Sequence, residues 1–254
     1  MKAAATHGNG SIGKSREKTG PRYKEIGDEL RIQITGGYYC LYEKLPSEHE
    51  LMRRFETSRA TIRKALAGLA AMGLVYSRRG EGYFVSQPRL TQDLQRLQGL
   101  SECAEASGHQ VFSKVLSTHE VHADATVAAN LKLELDTPVF ELKRLRYVNQ
   151  APFSFDISYF PLELGQELVK SDLSRIDVYL LLGQILGDDL GHADYTIEVT
   201  QAEEEISKAL DAEIYSSLIR VIRVAYMMSG NPVDFEFVYG RPGSFLFKAR
   251  VPRW

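Results

Sequence analysis

The 254-residue sequence has only two cysteines, Cys40 and Cys103, far apart and in no motif. Neither a disulfide framework nor a cysteine-bound metal is indicated, and a reduced, cytoplasmic protein is expected. No apolar run approaches the roughly 20 residues of a membrane helix, so no membrane partner is expected. The N-terminus has no apolar stretch of the signal-peptide kind, and a signal peptide is not expected either. There is no Walker loop, no G-x-G-x-x-G and no Ser-His-Asp order. His119-x-x-His122 is an isolated pair, read as surface or strand histidines rather than zinc ligands. No metal and no cofactor is therefore expected, and no acid, base or nucleophile can be nominated for catalysis. Net charge is also small, −2, which by itself argues against a nucleic-acid partner.

The distribution of charge argues the other way. Residues 1–86 carry 15 Lys/Arg against 9 Asp/Glu, a net of +6, and residues 87–254 carry 16 against 24, a net of −8. Without the first 20 residues the amino-terminal part still has 11 against 8, a net of +3. Such a split suggests a nucleic-acid-binding part joined to a part that does something else. With 44% hydrophobic and 25% charged residues, the composition is globular, and the length suits two domains.

Residues 1–20, rich in Gly, Ser, Lys and Ala, are expected to be a disordered basic tail. From Tyr23 the pattern is helical, with Ile26, Leu30 and Ile34 on the same face and Gly36-Gly37 ending the run. In "LPSEHELMRRF" Ser47 and Glu50 have capping-box spacing ahead of Leu51, Met52 and Phe55. Ser58 is placed to cap a helix over 59–72 that turns Ile62, Leu66 and Leu69 inward and stops at Gly73. Two β-rich runs, 74–77 and 83–86, flank Arg78-Arg79-Gly80-Glu81-Gly82 as a hairpin with a glycine-rich tip. Three helices followed by a hairpin is the order of a winged helix-turn-helix, over residues 21–87. Residues 88–98 are expected to be a linker.

Arg59 and Arg63 lie four apart and share a face away from the apolar arc. In a helix-turn-helix the start of that helix enters the major groove, where an arginine can donate two hydrogen bonds to one guanine. Thr57, Ser58 and Thr61 can bond phosphates, and Arg78, Arg79 and Gly80 form a wing that can follow the backbone. A winged helix used only for protein contacts is the alternative, against which the charge split speaks.

Residues 99–254 read as mixed α and β with an internal repeat. Leu131, Glu134, Arg144 and Tyr147 match Leu210, Glu213, Arg223 and Tyr226, and after a one-residue insertion Pro152 matches Pro232. A duplicated helix-plus-hairpin unit suggests one antiparallel sheet with pseudo-symmetry, covered by helices on one face. Along 139–148, Arg144 and Arg146 share a side with Phe140 and Leu142. A buried guanidinium needs an anionic partner. Either an internal acid (Asp156, Asp177, Asp234 or Glu236) or the phosphate or carboxylate of a ligand would serve.

Residues 45–86 closely resemble the DNA-binding domain of GntR-type bacterial transcription regulators. The resemblance rests on Leu45-Pro46-Ser47-Glu48, on Ser58-Arg59-x-Thr61-x-Arg63, and on Gly80-x-Gly82 ahead of a Phe-Val strand. It implies DNA contacts from Ser47, His49, Thr57, Ser58, Arg59, Thr61, Arg63, Lys64, Arg78, Arg79 and Gly80. His49 departs from the usual arginine, and Glu81 is unhelpful beside phosphates. Residues 95–254 resemble the UTRA effector domain of the HutC branch, on "ANLKLELDTPVFELKRLRYVNQAPFSFDISYFP", "DVYLLL" and "AEEEISKALDAEIYSSLIRVIRVAYMMSGNPVDF". This implies an α+β two-domain protein whose second domain is a chorismate-lyase-like antiparallel sheet with helices. The effector site it implies comprises Ser101, Arg144, Arg146, Asp156, Asp177, Tyr179 and Glu236. Asp177 stands where sugar-phosphate-sensing members have serine, Gly99 replaces a common hydroxyl residue, and "YGRPGSF" departs from a "YRGD"-like stretch. Fewer hydroxyls and more carboxylates suggest a zwitterion rather than a plain phosphosugar. The expected partners are a double-stranded palindromic operator, a phosphorylated, phosphonate or carboxylate metabolite, and a second copy of the chain. A homodimer is expected because one recognition helix reads too few base pairs.

Overall fold

The computed structural model describes residues 20–105, 107–187 and 190–253. Except for Gly20, the tail expected over residues 1–20 lies outside the described residues. Helix α1 (Arg22–Thr35) buries Ile26, Leu30 and Ile34. It gives way to Gly37, whose φ of +80° a residue with a side chain rarely adopts. Helix α2 (Glu48–Phe55) opens with the expected capping box, in which the Ser47 N–H donates to Glu50 Oε2 at 2.7 Å and the Glu50 N–H to Ser47 Oγ at 3.2 Å. Helix α3 (Arg59–Ala71) is capped by Ser58 Oγ, which accepts from the Thr61 N–H. Ile62, Leu66 and Leu69 of α3 pack with Leu30 of α1 and with Leu51 and Phe55 of α2 in one core. Burying each of these side chains contributes about 1.5–3 kcal/mol, and the sequence supplies no competing apolar face on α3. Strands β1 (Val75–Arg78) and β2 (Gly82–Val85) form the hairpin, one residue displaced from the sequence expectation, with Gly80 at φ +81° in its turn.

Strand β3 (Leu90–Asp93) lies in the stretch read as a linker. It is followed by α4 (Leu100–Glu105), β4 (Val111–His122), α5 (Ala125–Leu131), β5 (Pro138–Val148) and β6 (Ala151–Pro161). Then come α6 (Leu162–Leu168), α7 (Val178–Leu186), β7 (Leu190–Gln201), α8 (Glu204–Ala209), β8 (Ser217–Met227), β9 (Pro232–Gly240) and β10 (Phe245–Lys248). Residues 90–93 are not a free connection: β3 pairs in parallel with β10 and so fastens to the second domain. The six-stranded antiparallel sheet runs β4-β5-β6-β9-β8-β7. The repeat generates that order, since β4-α5-β5-β6 and β7-α8-β8-β9 are the same unit meeting at β6 and β9.

Helices cover both faces of the sheet, not the one face expected from the repeat. Phe140 and Leu142 pack with Val178, Leu181 and Leu182 of α7, whereas Val139 packs with α5 and Leu145 with α8. The repeat contains α5 and α8 only. The helices of the opposite face, α6 and α7, belong to the connection between the two copies, where a repeat comparison carries no signal. Among the described residues no helix is long and apolar enough to cross a membrane.

Candidate functional site

Several of the amino-terminal residues singled out in the sequence meet along one surface. The start of α2, the start of α3 and the hairpin enclose an open cleft lined by Ser47, His49, Arg59, Arg78 and Gly80. Arg59 and Arg63 point outward, 70% and 68% exposed, and both reach Glu48, with Nε to carboxylate distances of 2.7 and 3.9 Å. Ser58 and Thr61 bond each other through their hydroxyls at 2.9 Å. The guanidinium of Arg78 lies 4.9 Å from the Phe84 ring and 3.7 Å from Glu81, while Arg79 is exposed at the turn and Thr57 is half-buried. Lys64 stands apart from the group, its ammonium 4.0 Å from the Tyr23 ring on α1. His119 and His122 are three residues apart on β4 and so face opposite ways; His122 Nδ1 is bonded to Asp136.

In the second domain the repeat places two arginine–acid pairs on the ladder. Arg144 stands opposite Asp156 between β5 and β6, and Arg223 opposite Glu236 between β8 and β9. All four are buried. Arg144 Nη2 is 3.9 Å from Asp156 Oδ2, Arg146 Nη1 is 3.7 Å from the same oxygen, and Arg223 bonds Glu236 closely. From the start of α7, Asp177 reaches Arg146 Nη2 at 3.0 Å. Tyr179 donates its hydroxyl to Asp234 at 2.7 Å, and the Arg223 guanidinium lies 4.1 Å from its ring.

These charges act on one another. Burial alone would raise the Asp177 carboxyl, but the Arg146 and Arg144 guanidiniums and the Tyr179 N–H outweigh it and hold the pKa down to about 2. Asp156 is pushed up by burial in spite of Arg146 and Arg144. Asp234 is pushed well up by burial and by its neighbour Glu236, so it keeps its proton in the ordinary carboxylate range.

A cavity opens between the two pairs, bordered by Arg146, Ser154, Asp156, Tyr195 and Arg223, with Leu100, Val221 and Phe245 as apolar walls. Its volume is about 30 Å³, room for about two waters. Ser154 Oγ, Asp156 Oδ1, Arg146 Nε and Arg223 Nε are buried there without a hydrogen-bond partner among the described residues. Buried polar atoms are nearly always paired, and these four belong to residues that border the cavity.

Not every residue expected at this site borders the cavity. Arg144, Asp177 and Glu236 stand behind it, paired with Asp156, Arg146 and Arg223, and Tyr179 lies there with its ring under Arg223; Ser101 contributes its N–H to Asp177. Arg223, Ser154 and Tyr195 border it, although the sequence did not mark them as site residues. The repeat already carried the signal for Arg223, its match to Arg144; no pattern pointed to Tyr195 on β7.

Comparison with known proteins follows the same division. Residues 22–85 match the bacterial regulatory proteins of the gntR family, and residues 106–245 match the UTRA domain. The chain is 30% identical over 213 residues to the HTH-type transcriptional regulator YurK of Bacillus subtilis, covering 84% of this chain and 88% of that relative. It is 28% identical over 214 residues to the HTH-type transcriptional repressor NagR of the same organism, again covering 84% and 88%. The crystal structure of PhnF from Mycobacterium smegmatis superposes with a TM-score of 0.66 at 21% identity, covering 90% of this chain and 100% of that one, a likeness of fold.

Proposed function

The chain belongs to the GntR family of bacterial transcription regulators and carries a UTRA domain, and on that premise we propose that it is a cytoplasmic repressor, dimeric on a palindromic operator and released by a small acidic or zwitterionic metabolite. In this reading Arg59 and Arg63 meet base edges in the major groove. Ser47, His49, Thr57, Ser58, Thr61, Arg78, Arg79 and Gly80 line the phosphate path around them, and Lys64 adds long-range attraction from the flank. One helix covers few base pairs, so two copies reading half-sites about 34 Å apart provide the needed selectivity.

The effector enters between Arg146 and Arg223. Both signs of charge meet there, with Asp156 beside the arginines, which favours a ligand carrying an acid and an amine over a plain sugar phosphate. Arg144, Asp177, Tyr179 and Glu236 orient the groups that touch it.

The observation that carries ligand control is the path of β5. The strand bears Arg146 at the cavity, with Arg144 behind it, and ends in the Asn149–Gln150 turn, where both residues have positive φ. Gln150 Cγ there comes within 3.0 Å of the place a Cβ on Gly37 would occupy, at the end of α1. The ligand-bearing strand thus touches the DNA-binding domain directly. A ligand that binds the two arrangements of this contact unequally shifts the spacing of the winged helices. Gel-shift titration against short palindromes tests the reading: a preferred palindrome whose complex is dissolved by a small acid or zwitterion supports it, and the absence of any preferred sequence refutes it.

A further inference from the structure

Arg146 differs from the other buried arginines in where its partner comes from. Arg144 and Arg223 face acids across the ladder, but the residues beside Arg146 in the sheet are Ser113 and Ser154. Its shortest ion pair is with Asp177, which lies outside the sheet at the start of α7. Three donors converge on that one carboxylate: Arg146 Nη2 at 3.0 Å and the Ser101 N–H at 3.3 Å on Oδ2, and the Tyr179 N–H at 3.0 Å on Oδ1. Gly99 closes the fourth side. A Cβ there would fall 2.1–2.5 Å from the carboxylate atoms, so the absence of a side chain at 99 makes the space that Asp177 fills. A guanidinium and two N–H groups aimed at a single point are the recognition elements of an anion site.

We propose that Asp177 is a tethered anion, an internal competitor for the pocket in which the effector's acid group binds. The proposal rests on the reading of this cavity as the effector site. The geometry makes the competition direct. Asp177 stands behind the cavity wall and already holds Arg146 Nη2 and the Ser101 N–H on one carboxylate oxygen. A phosphate, phosphonate or carboxylate therefore reaches Arg146 and the Ser101 N–H only by displacing Asp177. Because Asp177 caps α7 through the Tyr179 N–H, its departure also frees the start of that helix, and α7 packs on the sheet face that carries Arg146. The sequence feature that separates this chain from a simple anion receptor is then a carboxylate at 177 opposite a glycine at 99. Asp156, the other acid near Arg146, sits on the ladder opposite Arg144.

The test is calorimetric titration of the full-length protein at pH 7 with inorganic phosphate. It compares wild type, Asp177→Asn, Asp177→Ser and the double variant Asp177→Asn/Arg146→Gln, each checked for folding by its circular-dichroism melt. Asparagine remains a good helix cap, so Asp177→Asn keeps the experiment valid should the serine variant fold poorly. Phosphate is expected to bind the single variants at least about ten-fold more tightly than wild type, the scale of one charge-assisted contact, and the double variant is expected to lose that gain. Equal binding in wild type and single variants, abolished by Arg146→Gln, would overturn the competition while leaving the cavity as the effector site. If the single variants bind no more tightly and no phosphate binding depends on Arg146, the competition and the cavity assignment both fall.

Discussion

Glu48 Oε2 lies 2.7 Å from Arg59 Nε, and the same carboxylate reaches toward Arg63 at 3.9 Å. One acid at the start of α2 thus gathers the two arginines of α3 that are proposed to read DNA. With both guanidiniums about 70% exposed, the bridge is of the surface kind, worth at most about 1 kcal/mol and screened by salt. It orients the pair without locking it.

Arg63→Ala and Arg59→Ala are each expected to weaken operator binding by about 1–3 kcal/mol, roughly 5- to 150-fold, if each arginine reads a guanine. Binding of small acids by the second domain should be unchanged. Anisotropy with labelled DNA and calorimetry with the ligand check the two halves separately. Glu48→Gln should alter the melting stability by less than about 1 kcal/mol.

Asp177 makes stability depend on acid. Its folded pKa of about 2 lies below the ordinary aspartate value of 3.8, so the contribution is complete above about pH 4 and is lost as pH falls through 2. A depression of that size corresponds to about 2 kcal/mol. Urea melts between pH 5 and pH 2 should show this loss in wild type, and a shallower slope in Asp177→Asn.

Asp234 has the opposite sign. Its carboxyl titrates well above the ordinary value because of burial and Glu236, so the folded state holds a proton that the unfolded chain has released. Stability should therefore fall as pH rises above the ordinary carboxylate range. Asp234→Asn retains an acceptor for the Tyr179 hydroxyl and removes the titration. It is expected to flatten that decline in melts recorded from pH 4 to pH 8.

The contact between Gly37 and Gln150 gives a prediction about coupling. Gly37 has a φ of +80°, and a Cβ on it would press on Gln150 Cγ at 3.0 Å. Gly37→Ala should cost about 1 kcal/mol of stability from the backbone alone. Gln150→Ala should leave stability and both separate affinities nearly unchanged while reducing the effect of ligand on operator binding, read by gel shift with and without the ligand.

The sequence made the amino-terminal half legible almost residue by residue. There local rules decide the outcome: a capping box at Ser47 and Glu50, a cap at Ser58, an apolar arc on α3 and glycines in the hairpin turn. In the second domain the repeat pointed to one antiparallel sheet with pseudo-symmetry, and its match of Arg223 to Arg144 held a signal for the second ladder arginine, which the expected site did not include. Long-range placement stayed hidden. That α6 and α7 cover the second face, that β3 pairs with β10 and that Asp177 travels from α7 to Arg146 all depend on contacts between distant segments, which neither periodicity nor spacing encodes. The burial of Arg144 behind the cavity belongs to the same class, since alternation along β5 gives its face of the sheet but not its depth.

Operator affinity measured for wild type and Arg146→Gln, with and without a panel of amino-phosphonates, amino acids and sugar phosphates, tests the link between the two domains most directly. A zwitterion from the panel should weaken the wild-type complex by about 5–150-fold, the usual range of coupling between sites. Arg146→Gln should bind the operator as wild type does and ignore the ligand. A ligand response that survives Arg146→Gln undiminished, or a wild-type complex dissolved by the sugar phosphates alone, would contradict it.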